Sequence, residues 1–93
     1  MKRTLISSPA FVRVVKRLTR KQPAAAAVLR QTLLLLEADA LDARLRTHKL
    51  KGELADRWAC SAGYDLRIVF RFVQSGGAES ILLLTVGTHD EVY

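Results

Sequence analysis

A single cysteine, Cys60, rules out an internal disulfide. Structural disulfides belong to oxidising compartments, so a reducing cytoplasm is the expected location. No apolar run approaches the ~20 residues that a membrane span needs, and no membrane partner is expected. Met1 to Ile6 resembles the opening of a signal peptide, but Ser8-Pro9 interrupts any apolar core and Arg13, Lys16 and Arg17 follow, so export is not expected. Acids are missing from residues 1–21, which hold Lys2, Arg3, Arg13, Lys16, Arg17, Arg20 and Lys21. Proline occurs twice, both times where a helix is expected to begin. There is no internal repeat, and no low-complexity tract beyond Ala24 to Ala27.

What is present suits one small domain. Ninety-three residues form a single unit, 1–93, and a chain of this size buries roughly 60–65% of the surface that its unfolded form exposes. A hydrophobic fraction of 49% belongs to a globular chain rather than a disordered one. The net charge of +6, concentrated near the start, attracts polyanions or an acidic protein partner; a solvated helix face is the plainer account of the same charges.

Thr4 to Ile6 reads as a short strand. Ser8 offers a cap, Pro9 suits the first helical position, and Phe11, Val14, Val15 and Leu18 recur at helical spacing, with Arg13, Lys16, Arg17 and Arg20 largely off that stripe. Pro23 opens a second helix, apolar at Val28, Leu29, Leu33, Leu35 and Leu36, which fades near Glu37. Asp39 to Thr47 reads either as a helical turn or as an extended connector. Trp58 to Cys60 is a strand candidate, Ala62-Gly63 a turn, and Tyr64 to Val73 a longer strand. Its Leu66, Ile68, Phe70 and Phe72 share one parity, whereas Asp65, Arg67, Val69, Arg71 and Val73 share the other. Ser75-Gly76-Gly77 closes a hairpin to a last strand, Ser80 to Val86. The order β-α-α-β-β-β predicts an α+β domain, with two helices on one face of a small, mostly antiparallel sheet.

The residue types that carry chemistry gather between His48 and Tyr93. Histidine takes and gives protons near neutral pH. Cutting RNA needs a base for the 2′-hydroxyl, cations for the phosphorane and an acid for the leaving 5′-oxygen. His48, Asp65 and His89 are the right types for proton transfer. Arg67 is a forked cation suited to phosphate, with Arg71 on the same strand face and Lys49 and Lys51 beside His48. Each has a plainer account: a capped or solvated histidine, an ion pair between Asp65 and Arg67, ordinary surface lysines. Trp58 reads as core before it reads as a base-stacking platform, and Cys60 as a small buried hydrophobe. The Tyr93 ring either anchors the chain end or faces substrate. No metal is expected, because no spacing such as H-x-x-x-H supports a site; no cofactor is implied.

Four segments carry a resemblance: H-K-L-x-G-x-L at His48 to Leu54, W-x-C at Trp58 to Cys60, Y-D-L-R-I-V-F at Tyr64 to Phe70, and G-T-H-D-E-V-Y at Gly87 to Tyr93. Together they resemble the RelE/ParE superfamily of bacterial toxins, in its YafQ-like branch of RelE/StbE mRNA interferases. The resemblance implies the toxin of a type II toxin–antitoxin pair, an endoribonuclease that cuts mRNA in the ribosomal A site without a metal. It further implies a cognate antitoxin that wraps the toxin in a hetero-oligomer. Carried over by position, His48, Asp65 and His89 would be the acid and base set; His89, which follows the last strand near the C-terminal aromatic, is the expected acid. Arg67 would stabilise the phosphate, and Tyr93 would contact the substrate nucleotide. Whether His48 or Asp65 takes the 2′-proton stays open, because YafQ-like members carry a further histidine where this chain has Ser61. Two alternatives accompany this reading: a ParE-like protein that poisons DNA gyrase through protein contacts, and a non-catalytic member that binds only RNA or antitoxin.

Overall fold

The computed structural model describes residues 2–92. Strand β1 (Thr4–Ser7) leads into helix α1 (Pro9–Lys21) and helix α2 (Ala25–Ala38). A short 3₁₀ turn, Ala43–Leu45, then precedes strand β2 (His48–Lys49). A second 3₁₀ turn, Gly52–Leu54, leads to strands β3 (Trp58–Ala62), β4 (Leu66–Ser75) and β5 (Ala78–Thr88), and a last helical turn, α3 (His89–Val92), follows directly. The five strands form one sheet in the order β1-β5-β4-β3-β2. Only β1 pairs in parallel, with β5, and the remaining pairs are antiparallel. The expected α+β architecture is therefore present, with two additions that the sequence pattern did not announce: the edge strand β2 and the turn α3.

Local chemistry accounts for the boundaries. Ser8 is in extended backbone and its hydroxyl accepts the Phe11 N–H at 3.0 Å, while Pro9 needs no hydrogen-bond partner at the first helical position. Helix α1 buries Phe11 and packs Val14, Val15 and Leu18 on the core, as its spacing predicts. Helix α2 buries Leu29, Thr32 and Leu36, and the Thr32 hydroxyl is satisfied by donating to the Val28 carbonyl at 2.8 Å.

The core lies between these helices and one face of the sheet, where Ile68, Phe70, Ile81 and Leu83 are buried together. Phe72 extends that face and meets Trp58 edge-on at 5.4 Å, so Trp58 is a packing residue. Cys60 is also buried on this side. Burial pushes its thiol pKa up to about 12, which leaves it protonated and unreactive at neutral pH.

Strand β4 begins at Leu66 rather than Tyr64, because Gly63, Tyr64 and Asp65 are used by the turn from β3. Gly63 takes φ +64°, a region that disfavours side chains, and a Cβ there would lie 2.9 Å from Val28 of α2. At the opposite end of β4, Gly76 and Gly77 both have positive φ and complete a two-residue hairpin turn. A register shift after Val69 lets β4 and β5 bend together. Among the described residues, no helix is long and apolar enough to cross a membrane.

Candidate functional site

The second face of the sheet carries Arg67 and His48. Directly paired residues share a face. Ser61 pairs with Arg67, and Arg67 with Gly87, so the arginine stands between a short side chain and none at all. One step along, His48 pairs with Ala59, Ala59 with Val69, and Val69 with Thr85. His48 therefore falls on the face of Arg67, two strand spacings or about 10 Å away across the sheet.

Arg67 lines a cleft of about 560 Å³ with Arg44, Arg46, Ser61, Gly63 and Tyr64. Three guanidinium groups around one opening, that of Arg44 already paired with Asp42, form a cationic recess suited to phosphate. Each arginine is held by the local chain. Arg67 donates from Nη1 to the Leu66 carbonyl at 3.0 Å. Arg44 makes a two-pronged contact with Asp42, Nε to Oδ1 at 3.0 Å and Nη2 to Oδ2 at 2.8 Å. That side-chain contact, with the Arg44 N–H as a second donor, holds the Asp42 carboxyl down at about 2. Arg46 sits at φ 52°, the one described residue other than glycine with positive φ, and reverses the chain after the 3₁₀ turn. Buried Leu45 plugs this turn into the core, and the Thr47 hydroxyl donates to the Ala40 carbonyl at 2.6 Å.

The same reversal positions His48. Its Nδ1 lies 3.0 Å from the Arg46 carbonyl oxygen, so the imidazole is oriented by a residue of the arginine cleft. His48, Lys49 and Lys51 line an adjoining groove of about 370 Å³ with Leu50 and Leu54. Asp65 lies in the β3–β4 turn and lines a different, smaller hollow with Val28 and Ala62. His89 opens α3 just past Thr88, which pairs with Leu66, and its backbone thus runs beside the start of β4. Its Nδ1 is 3.7 Å from the Asp90 carboxylate. The turn that presents His89 is fixed by Glu91, whose carboxylate accepts the Thr88 N–H at 2.8 Å; that hydrogen bond lowers the Glu91 pKa.

The predicted residues do not line one cavity: Asp65, expected on the strand face of Arg67, lies in the turn and lines a hollow on the α2 side of the sheet with Ala25, Val28, Ala62 and Leu66. His48 and its lysines stand on one side, next to Arg46, which lines the cleft with Arg67, and Asp65 and the backbone of His89 lie by the first residue of β4. Arg71 is on the same face but is ion-paired with Asp56 at 3.4 Å, away from the cleft lining. Tyr93 lies outside the described residues. Sequence reasoning missed Arg44 and Arg46 as site residues. Their alternate placement in R-L-R was visible, but only the buried Leu45 between them reveals that both turn outward. Among the described residues, no group of three or more His, Cys, Asp or Glu side chains is arranged to hold a metal ion.

A family model described as the bacterial toxin of a type II toxin–antitoxin system, YafQ, matches residues 3–93. The chain belongs to the YafQ toxin family. No curated protein matches it. Among solved structures, YafQ from Escherichia coli strain BL21(DE3) superposes with a TM-score of 0.77 at 18% identity, over 99% of each chain. A copper-bound mutant toxin from Helicobacter pylori gives 0.76 at 24% identity over 100% of both chains. A YoeB/ParE toxin from Agrobacterium tumefaciens gives 0.75 at 15% identity, over 92% of this chain and 98% of that one. At such identities the likeness is one of fold: these toxins share the α+β architecture described above.

Proposed function

We propose that this YafQ-family toxin is an endoribonuclease that cuts mRNA by proton transfer, acting on the ribosome and restrained by a cognate antitoxin. The observation that carries the reading is the arginine cleft with His48 tied to its rim through Arg46. In this mechanism the guanidinium of Arg67, with Arg46 beside it in the cleft, holds the scissile phosphate and stabilises the extra negative charge of the phosphorane. A base, His48 or Asp65, takes the proton of the 2′-hydroxyl. The 2′-oxygen then attacks phosphorus, and the bond from phosphorus to the 5′-oxygen breaks. His89 protonates that oxygen as it leaves. The products are a 2′,3′-cyclic phosphate and a free 5′-hydroxyl. Positive charge comes from arginine throughout, and the proposed steps use no metal ion.

The antitoxin has a direct precedent, since a toxin–antitoxin complex of Escherichia coli, DinJ–YafQ, contains a chain of this fold (TM-score 0.75, 19% identity). An acidic or amphipathic antitoxin segment would compete with RNA for the cationic surface formed by the cleft and by helix α1.

The test is expression of the wild type beside His48→Ala and His89→Ala, with translation and growth followed after induction. The proposal expects arrest by the wild type and strongly weakened arrest by both variants. Equal arrest by all three rejects it. Relaxed plasmid DNA with intact mRNA would instead favour a gyrase poison.

A further inference from the structure

Tyr64 is the aromatic residue that the described fold leaves wholly in solvent, at 100% exposure. Phe11, Phe70, Phe72 and Trp58 all pack on the core. An exposed aromatic ring forgoes roughly 1.5–3 kcal/mol of burial that its neighbours obtain, so its position invites a functional reading. Tyr64 stands on the ridge between two hollows. On one side is the arginine cleft, and on the other a smaller recess of about 220 Å³ with apolar walls from Val28 and Ala62. Asp65, the next residue, lines the second recess.

We propose that Tyr64 is a stacking platform for the nucleobase next to the phosphate held by the arginine cleft. This deepens the ribonuclease reading and rests on it. Three features support it. Guanidinium groups beside an exposed ring are the pairing that single-stranded nucleic acid uses, with phosphate on the cations and base on the ring. The ring is carried by a tight turn in which Gly63 takes φ +64° and passes close to Val28 of α2. With the backbone of the turn set, the side-chain torsions of Tyr64 are what remains to be ordered when a base lands on it. Finally, Asp65 follows Tyr64 directly, and His89 follows Thr88, which pairs with Leu66, so two proton-transfer candidates stand at the same end of β4 as the ring. Stacking tolerates all four bases, so the platform contributes affinity and alignment rather than a sequence code. Tyr64 binds substrate in this role and takes no part in proton transfer.

The test is a cycle of two proteins and two RNAs. Wild type and Tyr64→Ala are each titrated with a short single-stranded RNA whose 2′-hydroxyl at the cleavage position is replaced by hydrogen. The titrations are repeated with the same RNA lacking the base beside that position. The proposal expects Tyr64→Ala to weaken binding of the complete RNA by about tenfold to a hundredfold. It expects a much smaller change for the abasic RNA, and recovery by Tyr64→Trp. Equal loss with both RNAs, or none with either, overturns the platform. So does unchanged RNA binding together with weakened capture by the antitoxin, which would make Tyr64 part of the antitoxin interface. If the wild type neither binds nor cuts RNA on or off the ribosome, the ribonuclease reading falls first and takes the platform with it. A wild type that cuts RNA beside a Tyr64→Ala variant of equal affinity defeats the platform alone.

Discussion

The two faces of this sheet answer to different demands. On the helix side, Ile68 and Phe70 of β4 are fully buried and meet Ile81 and Leu83 across β5. On the other side the same strand presents Arg67 between Ser61 and Gly87, with open space above it. One face is packed to exclude water. On the other, Val69 and Ala59 are buried but Arg67 stands beside open space, so that its charge stays available to a ligand. The alternation of a single strand therefore separates stability from function at intervals of one residue. Damage to one face should register as unfolding, and damage to the other as lost activity in a protein that still folds.

The largest effect should come from the packed face. Phe70→Ala removes a fully buried ring, and denaturant unfolding should show a loss of about 3–5 kcal/mol. Arg67→Ala, three residues earlier, should lower RNA cleavage by about 10²–10³-fold, as removal of a transition-state donor does. Its unfolding midpoint should stay close to that of the wild type. If Arg67→Ala unfolds the protein as Phe70→Ala does, the division between faces is wrong.

The two ends of β4 sharpen the contrast. Gly63→Ala faces both a positive φ and a Val28 contact at 2.9 Å, whereas Gly76→Ala faces only the positive φ, with open space around it. The left-handed conformation alone costs about 1–2 kcal/mol for an L-residue, so thermal melts should place Gly63→Ala clearly below Gly76→Ala. The reverse order would mean that the turn beneath Tyr64 is not pinned to α2. A smaller change is expected at the groove: Lys51→Ala should reduce the slope of log affinity against log salt by about 0.7 for single-stranded RNA. An unaltered slope would remove Lys51 from the RNA path.

The smallest signal concerns Asp42. Its carboxyl is held at about 2 by Arg44 against an ordinary 3.8, so the ion pair is intact above the ordinary value and is lost as pH falls through about 2. An NMR titration should show this midpoint returning towards the ordinary range in Arg44→Ala. An unchanged midpoint would mean that the two-pronged contact does not persist in solution.

Much of this was legible in the sequence, and the reasons are local. The Ser8-Pro9 start, the stripe from Phe11 to Leu18 and the alternation from Leu66 to Phe72 each follow from a short-range periodicity. Strand β2 escaped because two residues hold no period; it exists through pairing with Trp58 and Ala59, a tertiary cause. Helix α3 escaped for a similar reason, since Glu91 must fold back to the Thr88 N–H before the turn is visible. The candidate site was legible as residue types but not as an arrangement. His48 and Arg67 were readable one by one, yet their link runs through Arg46, whose role depends on a positive φ that a non-glycine residue rarely adopts. Tyr64 read as the first residue of a strand and proved to be the exposed member of a turn.

The most direct test is the chemistry of the RNA ends. Wild-type toxin acting on translating ribosomes should leave mRNA fragments ending in a 2′,3′-cyclic phosphate or its 3′-phosphate product, opposite a 5′-hydroxyl. Those ends should be scarce with His89→Ala and with Arg67→Ala. Fragments bearing a 3′-hydroxyl and a 5′-phosphate, or abundant cyclic ends from both variants, would contradict the account.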